Sequence, residues 1–344
     1  MQARQHRVVV TRHGGPEVLA FVEEDLPQPG PGEARVRVFA AGVSGYDLMF
    51  RRSGRLPGTP RVPFTLGTDV VGVVDSLGAR ASTIAPGDVV AGWTVALGTR
   101  GGYAEYVCLP EGDLVPVPAG VDPAEAVCVV INYLTAHAMM HQAARVRAGE
   151  RVLVHGAAGG VGSALLQLGR LADLELFGTA SGANRDVVSQ LGATPIDYRT
   201  EDFVARVRGL TGDGVDVVFD PVGGGRQLWR SYRALRAGGR LVWFGVAATR
   251  DHGLRIIPPT LLARTALSLI PDGKHTPSTP DLTKLGNAWY RATLAELLDL
   301  IAAGEITPLV AGRIPLAEAA RAHELLERGG HAGKFVLVTD PPSP

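Results

Sequence analysis

Cysteine is nearly missing from this chain. Two, Cys108 and Cys128, stand among 344 residues, and no C-x-x-C pair occurs. That excludes a four-cysteine zinc lobe and fits a reducing cytoplasm, the compartment expected here. Charge of either sign is not in excess. The 34 Lys and Arg balance 34 Asp and Glu, so no basic patch points to nucleic acid or to an anionic membrane surface. No uninterrupted apolar run approaches a membrane span, and the opening MQARQHRVVV lacks the apolar core of a secretory signal. Charged residues are only 20% against 46% hydrophobic, which excludes disorder and allows a large core. The length exceeds what one domain usually needs.

What is present centres on VLVHGAAGGVG (152–162). Val152-Leu153-Val154 has the length and branching of a buried parallel strand. A turn of small residues follows, and Val161-Gly162 opens the helical pattern SALLQLGRLA. Strand, glycine turn and helix start together make a dinucleotide site: helix N-terminal amides face a pyrophosphate, and tiny side chains let it approach. A second strand ends at Ser181, 19 residues after Gly162, where an NAD site usually carries a carboxylate. Instead the chain reads Ser181-Gly182-Ala183-Asn184-Arg185. A hydroxyl, an amide and a guanidinium suit a 2′-phosphate, which favours NADPH over NADH. Asp186 reads as a first-turn helix residue.

Residues 7–125 show short alternating strands among glycine- and proline-rich corners, the pattern of a mostly β domain. Asp122-Pro123 reads as a helix start. Strand candidates then follow at 151–155, 174–180, 194–198, 215–220, 240–245 and 267–271, with helices between them. That alternation argues a doubly wound parallel sheet. Residues 272–290 break the rhythm and read as a loop or lid before a helix at 291–303. A strand at 309–314, a helix at 316–328 and a strand at 334–338 are too few for a domain, so they return to the first one. The expected division is 1–126 with 305–344, and 127–304.

GGPEVL (14–19), LGTDVVGVV (66–74), GGYAEYV (101–107), NYLTAH (132–137), LGATPIDYRTEDF (191–203), VDVVFDPVGG (215–224), GGRLVWFG (238–245) and IPLAEAARAHELLERGGHAGKFVL (314–337) follow one another in a specific order and spacing. With the glycine turn, they make the chain resemble, over nearly its whole length, the zinc-independent quinone oxidoreductase (zeta-crystallin-like) branch of the medium-chain dehydrogenase/reductase superfamily. The resemblance implies an α/β protein: a GroES-like, mostly β catalytic domain, a Rossmann domain and a cleft between them. It implies NADPH-dependent reduction and a homodimer paired through the last Rossmann strand. Tyr198 matches a tyrosine packed at the adenosine 2′-phosphate, and Ser181 and Arg185 match the serine and basic position of that pocket. Thr135, Gly159, Gly160 and Val161 match pyrophosphate or ribose contacts. Phe244 and Gly245 fall beside the nicotinamide, and Leu269 and Ile270 on the sixth strand match cofactor-lining positions.

In the zinc alcohol dehydrogenases of that superfamily, a ligand cysteine stands where this chain has Ser44 and a histidine where it has Thr68. A hydroxyl pair cannot replace thiolate and imidazole. Without a Lewis acid, conjugated acceptors are the suitable substrates, because a quinone or enone delocalises the charge that hydride brings. The branch's usual asparagine is Ser44 here, and its tyrosine falls near Met49, so Tyr46 is the nearest phenol. Tyr46 is expected to orient or protonate substrate, with Ser44 beside it, while Asp47 caps the following helix or holds a local hydrogen bond. The loop 49–64, the segment 93–101 and the region 271–290 are expected to shape the substrate pocket, with Met49, Phe50, Phe64 and Trp93 as an apolar wall. Two other readings remain open: an enoyl-thioester reductase of a fatty-acid or polyketide pathway, and an NADPH-binding scaffold without turnover.

Overall fold

The structure is a computed structural model that describes residues 3–54, 59–94, 101–245 and 253–339. It divides into two units: Met1–Leu134 with Leu285–Gly329 and Lys334–Pro344, and Thr135–Lys284 with Gly330–Gly333.

The first unit is mostly β. Its strands are β1 (Arg4–Val10), β2 (Leu19–Asp25), β3 (Glu33–Gly42), β4 (Phe64–Thr65), β5 (Asp69–Leu77), β6 (Val89–Trp93), β7 (Tyr106–Pro110) and β8 (Leu114–Pro116). Alternation decides which face is buried: Ala34, Val36, Val38 and Ala40 of β3 point inward in period two. Ala34, Val36 and Val38 join Val70, Val90, Leu109 and Phe335 in one apolar core.

The second unit holds β9 (Arg151–His155), β10 (Glu175–Ala180), β11 (Thr194–Asp197), β12 (Val215–Asp220) and β13 (Leu235–Trp243) in a parallel sheet of order β11-β10-β9-β12-β13. Side chains again alternate: Phe177 faces the core shared with Phe203, Val207, Leu228 and Tyr232, while Gly178 faces Val188. The order reverses at β9, so the carboxyl ends of β9 and β12 form the switch point where open sheets take ligands. Later in the chain, β14 (Val310–Pro315) and β15 (Lys334–Val338) rejoin the first unit, whose larger sheet runs β14-β15-β3-β5-β6-β8 with β7 on β3.

Three expectations are corrected. The divisions fall at 134/135 and 284/285, not 126/127 and 304/305. The helix there begins at Asn287, and its Tyr290 ring stacks on Trp93 at 4.2 Å, which fixes that helix in the first unit. Residues 267–271 are not a strand. The helix Ile257–Ser268 takes the first two of them, Leu269 is its C-cap, and Ile270 and Pro271 follow. Thr260 anchors that helix, accepting from Gly224 N at 2.7 Å and donating to Ile256 O at 2.6 Å, and helix propagation then overrides the strand preference of Leu267–Ile270. The strand expected to pair a homodimer is therefore absent at that position. Finally, 272–279 is not a free lid. His275 pairs with Arg240 and Ser278 with Trp243 beside β13, and Tyr232 Oη donates to Asp272 Oδ1 at 2.6 Å.

Candidate dinucleotide site and the Ser44 cluster

In the second unit, β9 delivers its chain into Gly156, whose φ of 62° needs glycine. The helix Gly160–Leu171 starts from Gly159, an N-cap in extended conformation with no side-chain cap. The amides of Gly160, Val161 and Gly162 have no carbonyl four residues back inside the helix, so they point outward as donors. Gly162 has to be glycine: a Cβ there would lie 2.2 Å from Gly156 O. The turn is a bare, positively polarised cradle that fits a pyrophosphate.

At the next turn, Ser181 is buried and starts a short helical turn without a side-chain cap bond. Tyr198 N donates to Ala180 O at 3.3 Å, so Tyr198 lies beside Ser181 at the ends of β10 and β11. Its ring is 54% exposed, with the Arg199 guanidinium 5.8 Å from its centroid. The structure thus brings Ser181 and Tyr198 together. Arg185 follows on the helix Arg185–Gln190, exposed, 3.9 Å from Glu201. Asn184 does something else: its amide donates to Gly330 O and His331 O. Sequence reasoning also missed Asp197, whose carboxylate would sit 2.9 Å from a Cβ on Gly182. The signal was available, since parallel register sets the end of β11 beside the end of β10.

Phe244 is half-buried and its amide donates to Asp220 O at 3.0 Å. Gly245 lies against Pro221, where a Cβ would approach to 2.6 Å. Thr135 is half-buried on the helix Leu134–Ala138. Leu269 is 77% exposed, and Ile270 packs against the core. Beneath the switch point, His155 bridges Thr179 Oγ1 at 2.9 Å and Ser231 Oγ at 3.1 Å, and Ser231 donates to Asp220 at 2.7 Å. Asp220 in turn accepts from Val222 N and Gly223 N, which holds the turn after β12.

In the first unit, Ser44 is the N-cap of the helix Gly45–Arg52 in a capping box with Asp47. Ser44 Oγ donates to Asp47 Oδ2 at 2.6 Å, and Ser44 N donates to the same oxygen at 2.8 Å. Gly67 N donates to Asp47 Oδ1 at 3.0 Å. Burial lifts the Asp47 carboxyl above its ordinary range, opposed by these bonds. A chain of groups runs on from it. Arg51 can only donate, so His323 Nδ1 accepts from it at 3.2 Å, and His323 Nε2 donates to Tyr103 Oη at 3.1 Å. The Tyr103 hydroxyl is then turned toward Asp47, its partner. Burial, then Arg51 and Arg52, push His323 down to about 3, which keeps it neutral.

Tyr46 is 51% exposed on the same helix. The expected apolar wall is mostly core. Phe64 is fully packed, Phe50 packs against that core, and Met49 and Trp93 are buried. Positions 55–58 and 95–100 of the expected pocket loops lie outside the described residues. A buried pair escaped the sequence: Lys334 Nζ donates to Asp69 Oδ2, and Gly42 makes the room, since a Cβ there would lie 2.1 Å from Lys334 Cε.

Residues 30–119 match the alcohol dehydrogenase GroES-like domain family, and residues 191–337 match the zinc-binding dehydrogenase family. The synaptic vesicle membrane protein VAT-1 homolog of Danio rerio is 32% identical over 97% of this chain and 70% of its own length. The quinone oxidoreductase of Pseudomonas aeruginosa is 35% identical over 96% of this chain and 99% of its own. A solved mycobacterial structure complexed with NADPH is 32% identical, with a TM-score of 0.84 over 97% of this chain and 99% of that one. Zinc, named in the second family's description, does not fit the donors present. Ser44 and Thr68 are hydroxyls, and no three His, Cys, Asp or Glu cluster as ligands among the described residues. Among those residues, no helix is long and apolar enough to cross a membrane.

Proposed function

The chain belongs to the quinone oxidoreductase branch of the medium-chain dehydrogenase/reductase superfamily, and on that premise we propose that it is an NADPH-dependent, zinc-independent reductase of quinones or α,β-unsaturated carbonyl compounds. The observation that carries the reading is the glycine cradle, where Gly162 tolerates no Cβ and the helix N-terminus has no side-chain cap. Ser181, Tyr198 and Arg185 would hold the 2′-phosphate, and the NADPH of the mycobacterial relative supports that choice over NADH. Thr135, Phe244 and Gly245 would line the remainder.

When bound, the cofactor supplies a hydride. The chain has to supply orientation and one proton. A conjugated acceptor that gains hydride and proton is reduced by two electrons, with no metal needed to hold the charge. Ser44 is a poor donor, because its hydroxyl proton is committed to Asp47. It orients substrate through its oxygen. Tyr46 is the donor in this reading, and its exposure lets solvent return the proton. A cytoplasmic homodimer belongs to the same proposal. With no strand at 267–271, pairing in this proposal goes through the His275–Ser278 segment beside β13, and sedimentation at micromolar concentration tests the dimer.

The test is anaerobic NADPH oxidation with a simple quinone and a cyclic enone in parallel, and NADH as control. Turnover of either acceptor with NADPH is expected. Tight NADPH binding with no turnover of either overturns the reading.

A further inference from the structure

The four residues Gly330–Gly333 lie in the chain between two elements of the first unit, yet they belong to the second. Two anchors hold them there. Gly333 N donates to Ala158 O at 2.8 Å and pairs with Gly159, inside the turn that follows β9. Asn184 Nδ2 donates to Gly330 O at 3.4 Å and to His331 O at 3.3 Å, from the turn that follows β10. Asn184 stands at the N-cap of the helix Arg185–Gln190, where an asparagine normally accepts from the first helical amides. Here it makes no such bond, and its side chain is spent on the segment instead. Gly330 and Gly333 have φ of 79° and 86°, which bend the backbone into this path.

The segment therefore straps two turns together. These are the turns that, in the reading proposed above, receive the pyrophosphate and the 2′-phosphate of the dinucleotide. We propose that Gly330–Gly333 forms a wall of the dinucleotide site, and that Asn184 is the positioning residue that latches it, not a phosphate contact. This inference rests on the NADPH reading. Its consequence is specific. The other end of the strap, Gly333 on Ala158 O, lies on the turn that receives the pyrophosphate, which NADPH and NADH share, so loss of the latch weakens both. A direct 2′-phosphate donor affects NADPH alone.

The experiment titrates the intrinsic fluorescence of NADPH and of NADH on binding to wild type, Asn184→Ala, Asn184→Asp and Arg185→Ala. The long hydrogen bonds set the expected size: Asn184→Ala raises both dissociation constants by about five-fold, and Asn184→Asp, which turns an acceptor toward two carbonyls, raises them further. Arg185→Ala weakens NADPH only. Hydrogen exchange at 330–333 is faster in Asn184→Ala without cofactor, and NADPH slows it in wild type. A loss confined to NADPH makes Asn184 a phosphate contact and overturns the proposal. Unchanged constants overturn it too, whatever happens to thermal stability. A wild type that binds neither nucleotide removes the cofactor reading and this inference together, whereas normal wild-type binding with an indifferent Asn184→Ala removes this one alone.

Discussion

At the scale of single residues, the Ser44 cluster separates two roles that adjacent hydroxyls are easily confused over. Ser44 gives its proton to a buried carboxylate and closes a helix, so its contribution is structural before it is chemical. Tyr46, two residues on, is exposed and makes no part of the capping box. Opposite signatures follow. Tyr46→Phe is expected to lower kcat by about 100-fold, the usual worth of a positioned general acid, with thermal stability unchanged. Ser44→Ala is expected to cost about 1 kcal/mol for the lost cap, more if Asp47 is left short of donors, and to lower turnover less than Tyr46→Phe does. Steady-state kinetics beside thermal melts on the two variants check both. A Tyr46→Phe enzyme with full turnover would end its role as proton donor. Asp197 supplies a third case. Its carboxylate beside Gly182 opposes a neighbouring 2′-phosphate, so Asp197→Asn is expected to tighten NADPH by about three-fold and leave NADH unchanged, as fluorescence titration would show.

At the scale of elements, the strand–turn–helix from β9 to the helix Gly160–Leu171 is the most constrained piece. Gly162→Ala is expected to raise the NADPH dissociation constant by at least about ten-fold, because a Cβ 2.2 Å from Gly156 O forces the turn open. Circular dichroism would show the fold retained, and a titration at wild-type affinity would mean that the cradle has slack the geometry denies. This piece was legible in the sequence because everything that specifies it is local: a branched apolar run, small residues, then a helical period. The end of β10 at Ser181 was legible for the same reason, whereas Tyr198 was reached only through the family resemblance, since it follows β11 and stands beside Ser181 by parallel register. The end of the helix Ile257–Ser268 was not. Residues 267–271 read as a strand, and what carries the helix on to Ser268 includes the bond from Gly224 N to Thr260, which no local window contains. The chain from Asp47 through Tyr103 and His323 to Arg51 was invisible for the same reason, since Arg51 and His323 are 272 residues apart. Of that chain, only the S-x-x-D spacing of Ser44 and Asp47 left a mark in the sequence.

At the scale of the whole molecule, each unit buries histidine in its neutral form, and this makes stability depend on pH. His323 in the first unit is pushed down to about 3, and His137 in the second to about 4, both mainly by burial. His155 is lowered as well, again by burial first. In the unfolded chain these rings take a proton near pH 6.5. A group with a depressed folded pKa stabilises the fold fully above its unfolded value and loses that contribution as pH falls toward the folded one. The window is thus from about 6.5 down to about 3 for His323, and down to about 4 for His137. The buried His323 ring contributes a slope of about 1.4 kcal/mol per pH unit inside its window, and the half-buried His137 less, because solvent screens it. The buried carboxyls Asp47 and Asp69 act the other way, because a raised carboxylate pKa disfavours the fold as pH climbs through its range. Their effect opposes that of the histidines. Acid destabilisation beginning just below pH 6.5, well above ordinary carboxylate titration, is the result expected from denaturant melts. His323→Gln is expected to flatten that slope by about one proton while lowering stability at neutral pH, since Gln keeps one partner of the Arg51–Tyr103 pair at most. A slope unchanged by His323→Gln would mean that the imidazole is not held neutral, and the fixed direction of hydrogen bonding from Arg51 to Asp47 would fall with it.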